Sequence, residues 1–103
     1  MSAAKTKAQD IIDSNGVAVF SKSYCPYCKA TKQLLSSLDA KYYSIELDQI
    51  DDGAAIQDAL QEMTGQRSVP NIFISKEHLG GNSDLQGLSK DSLKTKLTKA
   101  HAL

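Results

Sequence analysis

Apolar residues recur at helical spacing from the start of the chain: Ala4, Ala8, Ile11 and Ile12 form one stripe at i, i+4, i+7 and i+8. Ser2 stands at the N-cap position, and Asn15-Gly16 supply a stop. Val17-Ala18-Val19-Phe20 is a short unbroken apolar run, the pattern of a strand covered on both faces. Thr31, Leu34, Leu35 and Leu38 mark one face of a second helix. Pro26 falls in its first turn, where a missing N–H costs nothing. Tyr42-Tyr43-Ser44-Ile45-Glu46-Leu47 alternates as a second strand, with one tyrosine expected in the core and one at the surface. Gly53 precedes a helical stripe of Ile56, Ala59, Leu60 and Met63, which Gly65 ends. Asn71-Ile72-Phe73-Ile74 reads as a third strand just after Pro70, and His78-Leu79 as a short fourth before Gly80-Gly81. Leu88, Leu93, Leu97 and Ala100 mark a closing amphipathic helix capped by Ser89.

The predicted order is α-β-α-β-α-β-β-α. A strand–helix–strand crossover makes a right-handed parallel unit. Two strands only a few residues apart can pair only antiparallel. Together these predict an α/β fold, a four-stranded mixed sheet flanked by helices on both faces. At 103 residues the chain forms one domain, residues 1–103, since two independent cores would each be too small. Twelve Lys plus Arg balance twelve Asp plus Glu, which argues against nucleic-acid or membrane-surface partners, because both demand a basic excess. No apolar run approaches the roughly 20 residues that span a bilayer. The opening segment lacks a hydrophobic or Arg-rich leader, so a cytoplasmic location is expected.

Cys25 and Cys28 are the only cysteines. A disulfide closing so short a segment removes little entropy from the unfolded chain, so stapling is a poor explanation. A structural zinc site needs four ligands, and His78 and His101 lie far downstream, expected exposed; no metal is expected. The pair is therefore predicted to do chemistry. Cys25 follows a strand and a short polar loop at the start of a helix, where unpaired N–H groups favour a thiolate. Such sites lower a cysteine pKa from about 8.5 to roughly 3.5–7.5, and Lys22 is the nearest cation in sequence. Cys28, one turn inside, is expected to be the less acidic and less exposed thiol. Cys25 attacks; Cys28 resolves.

With these residues on the page, Cys25-Pro26-Tyr27-Cys28 resembles the active-site motif of dithiol glutaredoxins, within the thioredoxin-like fold. Ser68-Val69-Pro70 is similar to that family's Thr-Val-Pro segment, and Gly80-Gly81-Asn82-Ser83-Asp84-Leu85 to its glycine-pair and Ser-Asp signature. The resemblance runs from about Val17 to Leu85 in order. It implies a glutathione site: Lys22, Gln57 and Arg67 facing the glycyl carboxylate, and Val69 offering its backbone N–H and C=O to the cysteinyl unit. By the same resemblance, Asn82, Ser83 and Asp84 receive the γ-glutamyl end, Tyr27 shields the mixed disulfide, Ser68 and Pro70 join Val69 in binding glutathione, and Pro70 is a cis proline beside Cys25. Ser68 departs from the commoner Thr but keeps the hydroxyl, and Asn82 stands where several relatives carry a third cysteine.

The implied activity is a glutathione-dependent thiol-disulfide oxidoreductase, a monomer acting on glutathionylated or disulfide-containing proteins with glutathione as reductant. Two rivals stand beside it. A thioredoxin-type dithiol reductase characteristically has Trp before the first cysteine and Gly-Pro between the two; this chain has Tyr24 and no Trp. An iron–sulfur cluster-binding glutaredoxin-like protein usually has Gly or Ser adjoining the first cysteine, where Pro26 stiffens this chain.

Overall fold

The computed structural model describes residues 2–103. Helix α1 runs Ala3–Ser14, and the Ser2 side chain accepts the Lys5 N–H as its cap. Strand β1, Val17–Ser21, follows, buried at every position. Helix α2 is Pro26–Ser37, strand β2 Tyr43–Glu46 and helix α3 Gly53–Thr64. Strands β3 (Asn71–Ile74) and β4 (Glu77–Gly80) form the late hairpin. Helices α4 (Asn82–Gln86) and α5 (Lys90–Lys99) complete the chain.

The sheet order is β2-β1-β3-β4. β1 and β2 are parallel, aligned Ala18 to Tyr43 through Ser21 to Glu46. β1–β3 and β3–β4 are antiparallel. Because successive side chains of a strand point to opposite faces, the apolar run of β1 feeds two cores. Ala18 and Phe20 join Ala8, Ile12, Ile56, Leu60 and Phe73 beneath α1 and α3. Val17 and Val19 join Leu35, Ile72, Leu85, Leu93 and Leu97 beneath α2, α4 and α5. This is the expected mixed sheet with helices on both faces.

Several boundaries and one element differ from the sequence reading. Tyr42 precedes β2, and Leu47 falls in a short 3-10 turn, Leu47–Gln49. Gly53 is the first residue of α3, ahead of its apolar stripe as expected, and Gly65 ends that helix at φ +81°, a left-handed conformation glycine adopts without strain. Leu88 lies ahead of α5, outside it, and the Ser89 side chain caps that helix by accepting the Ser92 N–H. The α4 helix was absent from the predicted order. Its five residues are too few to show a 3.6-residue stripe, and only Leu85 is buried. Tyr42 packs half-buried against the second core and Tyr43 is exposed, the split expected of the pair. His78 and His101 are exposed, as expected. Among the described residues no helix is long and apolar enough to cross a membrane.

Candidate active site

The site lies where β1 ends and α2 begins. Cys25 is the N-cap of α2, and Pro26 supplies the first helical residue, with its fixed φ and no stranded N–H. The Cys25 Sγ accepts the Cys28 N–H at 3.2 Å, so an orphan donor of the first turn is aimed at the sulfur. As a thiol, the same sulfur donates to the Val69 carbonyl at 3.7 Å. Cys25 is partly exposed, whereas Cys28 is fully buried. Burial pushes the Cys28 thiol up to about 11, with the neighbouring Cys25 sulfur adding to the rise. The two cysteines therefore differ in exposure as expected from their positions: one sulfur is partly accessible, and the other is buried, where burial favours its protonated form.

Across from α2, the Val69–Pro70 peptide is cis, as the resemblance implied. A groove of about 360 Å³ opens beside it, lined by Tyr27, Ser68, Val69, Pro70, Gly81, Asn82 and Ser83. All seven stand in the motifs quoted from sequence, and all but Gly81 were named there as glutathione-site residues. Tyr27 is 67% exposed, its ring lying on the rim rather than in a core. Val69 presents its backbone to the groove, and its N–H has no protein partner among the described residues.

Gly80 has φ +127°, and a Cβ there would run into the Asp84 carboxylate. That carboxylate turns back to accept the Gly81 N–H through Oδ2 at 2.9 Å, holding the glycine pair in place. Its Oδ1 has no partner among the described residues.

The remaining predicted residues lie outside the groove lining. Lys22 is half-buried at the end of β1, and its carbonyl accepts the Cys25 N–H at 3.1 Å. Gln57, on α3, donates through Nε2 to the Arg67 carbonyl at 2.8 Å. The Arg67 guanidinium pairs with Asp58 and reaches Gln61 Oε1 at 3.2 Å, so it lies along α3. Gln57 and Arg67 are thus brought together, but through the Arg67 backbone.

Four residues supporting the site were missed in the sequence. Asp48 accepts both the Ser23 N–H, at 2.9 Å, and the Ser23 hydroxyl, which fastens the loop ahead of Cys25. These bonds hold the Asp48 carboxyl below its usual pKa. Gln66 donates through Nε2 to the carbonyls of Ser68 and Pro70, both at 3.1 Å, clamping the segment either side of Val69. Ser21 is fully buried at the end of β1, and its hydroxyl works against the rise in the Cys28 pKa. Thr31, buried on α2, donates to Asn82 Oδ1 at 2.9 Å. No local motif signals these contacts; the Thr31–Asn82 bond spans 51 positions of sequence. Among the described residues no group of three or more His, Cys, Asp or Glu side chains is placed to hold a metal ion.

A thioredoxin-like sheet with a Cys-x-x-Cys pair at a strand-to-helix junction, facing a cis-proline, defines a thiol-disulfide oxidoreductase. Residues 7–79 match the family model described as Glutaredoxin. The chain is 50% identical to a glutaredoxin of Ricinus communis over 97% of its own length and 99% of the relative's. It is also 50% identical to glutaredoxin-C2 of Arabidopsis thaliana, over 97% and 91% of the two chains. The crystal structure of a buckwheat glutaredoxin–glutathione complex superposes with a TM-score of 0.94 at 48% identity, covering 97% of this chain and 92% of that one. The chain belongs to the glutaredoxin family.

Proposed function

We propose that this protein uses glutathione to reduce protein–glutathione mixed disulfides and protein disulfides. The observation that carries the reading is the groove lined by Tyr27, Val69, Asn82 and Ser83, with the Val69 N–H unpartnered among the described residues and the Cys25 sulfur 3.7 Å from the Val69 carbonyl. The cysteinyl backbone of glutathione pairs strand-fashion with Val69, which places its sulfur beside Cys25. The γ-glutamyl end reaches Asn82, Ser83 and the open oxygen of Asp84, while Lys22 supplies a cation for the glycyl carboxylate. Support comes from the buckwheat relative, whose structure is a complex with glutathione.

In the proposed reaction the Cys25 thiolate attacks the glutathione-side sulfur of a glutathionylated protein. The new Cys25–glutathione disulfide forms as the S–S bond between glutathione and the protein sulfur breaks, and the protein leaves as a thiolate that takes up a proton. A second glutathione thiolate then attacks the glutathione sulfur of the mixed disulfide, releasing oxidised glutathione and regenerating Cys25. With an intramolecular protein disulfide, Cys25 forms a mixed disulfide with the substrate instead. Cys28 loses its proton and attacks Cys25, leaving a Cys25–Cys28 disulfide for glutathione to reduce. Exchange follows access and geometry as well as leaving-group acidity, and Cys25 is the accessible sulfur here.

The test compares electron sources on one glutathionylated peptide. Turnover with glutathione plus glutathione reductase, and little with thioredoxin plus thioredoxin reductase, is expected; the reverse preference would contradict the reading.

A further inference from the structure

Thr31 is fully buried on α2, the helix that carries both cysteines. Its hydroxyl donates to Asn82 Oδ1 at 2.9 Å, and Gln86 Nε2 donates to the same oxygen at 3.2 Å. A carboxamide oxygen has two lone pairs, so the protein takes both. The Asn82 Nδ2 has no partner among the described residues, and Asn82 lines the groove. Turning the carboxamide over would set its NH2 group against the Gln86 amide donor, losing the 3.2 Å bond, and would reverse the Thr31 hydroxyl from donor to acceptor. The orientation that keeps both bonds leaves the Nδ2 N–H groups, and no acceptor, unpaired on a residue that lines the groove.

We propose that Thr31 is a positioning residue for glutathione. Acting through Asn82, and supported by Gln86, it turns Nδ2 toward the γ-glutamyl carboxylate and so favours an anionic acceptor at this end of the groove. The inference rests on the glutathione reading above and adds to it a residue that touches no ligand. It also ties α2 to α4, so the helix bearing the reacting sulfurs and the segment receiving the far end of glutathione are held at one spacing. A hydrogen bond to a charged group gains strength when its donor is held in place beforehand.

Three variants test it in the glutathione-coupled assay, with thermal unfolding run alongside. Thr31→Val keeps the side-chain shape and removes the hydroxyl. The KM for glutathione is expected to rise about three- to tenfold, the scale of one weakened hydrogen bond to a charged group, with kcat little changed. Thr31→Ser restores the hydroxyl and is expected to bring KM back near the wild-type value. Asn82→Asp still accepts from Thr31 and Gln86 but turns a carboxylate oxygen into the groove in place of the donor. Its KM is expected to rise about tenfold or more with no loss of melting temperature. If Thr31→Val does not fold, Thr31→Ala decides in its place, with the same rise in KM expected and Thr31→Ser as the rescue. Wild-type KM in the folded variants overturns the role of Thr31 while leaving the proposed function standing. Absence of glutathione turnover in the wild-type protein overturns both.

Discussion

The two thiols sit one helical turn apart and meet opposite surroundings. Cys25 caps α2, partly exposed, and its sulfur receives an N–H from the first turn. Cys28 lies wholly inside, and burial raises its thiol from 9.0 to about 11. The folded protein therefore keeps a proton on Cys28 at a pH where the unfolded chain has lost it. A raised pKa contributes stability that is whole below the unfolded value and disappears as pH rises through the folded one. Stability from this source holds to about pH 9 and falls away toward about pH 11. Urea unfolding across that window should show a steeper loss in the wild type than in Cys28→Ser, whose hydroxyl does not titrate there. Iodoacetamide near neutral pH should label Cys25 and spare Cys28 in the reduced, folded protein. Equal labelling of both would contradict the division of roles.

Among the elements, those with a clear period or a cap could be read from sequence. Ser2 and Ser89 cap α1 and α5, Gly65 ends α3, and the run Val17–Phe20 is the central strand. The groove residues were readable because they come in three short linear motifs. What holds those motifs together was not readable, since it depends on which distant segments meet. Asp48, in the 3-10 turn after β2, meets Ser23, 25 positions earlier, only because β2 runs parallel beside β1. The contacts of the Arg67 guanidinium with Asp58 and Gln61 on α3 were likewise not signalled by any local motif.

The Asp48 bracket makes a prediction about the loop between β1 and α2. Asp48→Ala removes both acceptors for Ser23 and leaves Cys25 on a looser tether. A several-fold fall in kcat/KM for a glutathionylated peptide is expected, with a melting temperature close to wild type because the pair is at the surface. The wild-type bracket should persist at weakly acid pH. A lowered carboxyl pKa contributes stability above the unfolded value, near 3.8, and loses it as pH falls further. Unchanged kcat/KM in the variant would show that the loop is held by other means.

For the whole molecule, the fold places one reactive sulfur, one buried sulfur and one groove at the same end of the sheet. β1 delivers Cys25, the turn before β3 delivers the Val69 backbone, and the segment after β4 delivers Asn82 and Ser83. On the proposed reading this arrangement supplies a single attacking sulfur and a seat for glutathione, so that glutathione itself clears the intermediate on Cys25. Cys28 is then needed only when the substrate is an intramolecular protein disulfide. The account is tested most directly by assaying Cys25→Ser and Cys28→Ser with glutathione on two substrates, a glutathionylated peptide and insulin. Cys28→Ser should keep or gain activity on the glutathionylated peptide and lose insulin reduction, while Cys25→Ser should lose both. Loss of both activities in Cys28→Ser would contradict the account, because every turnover would then require the dithiol.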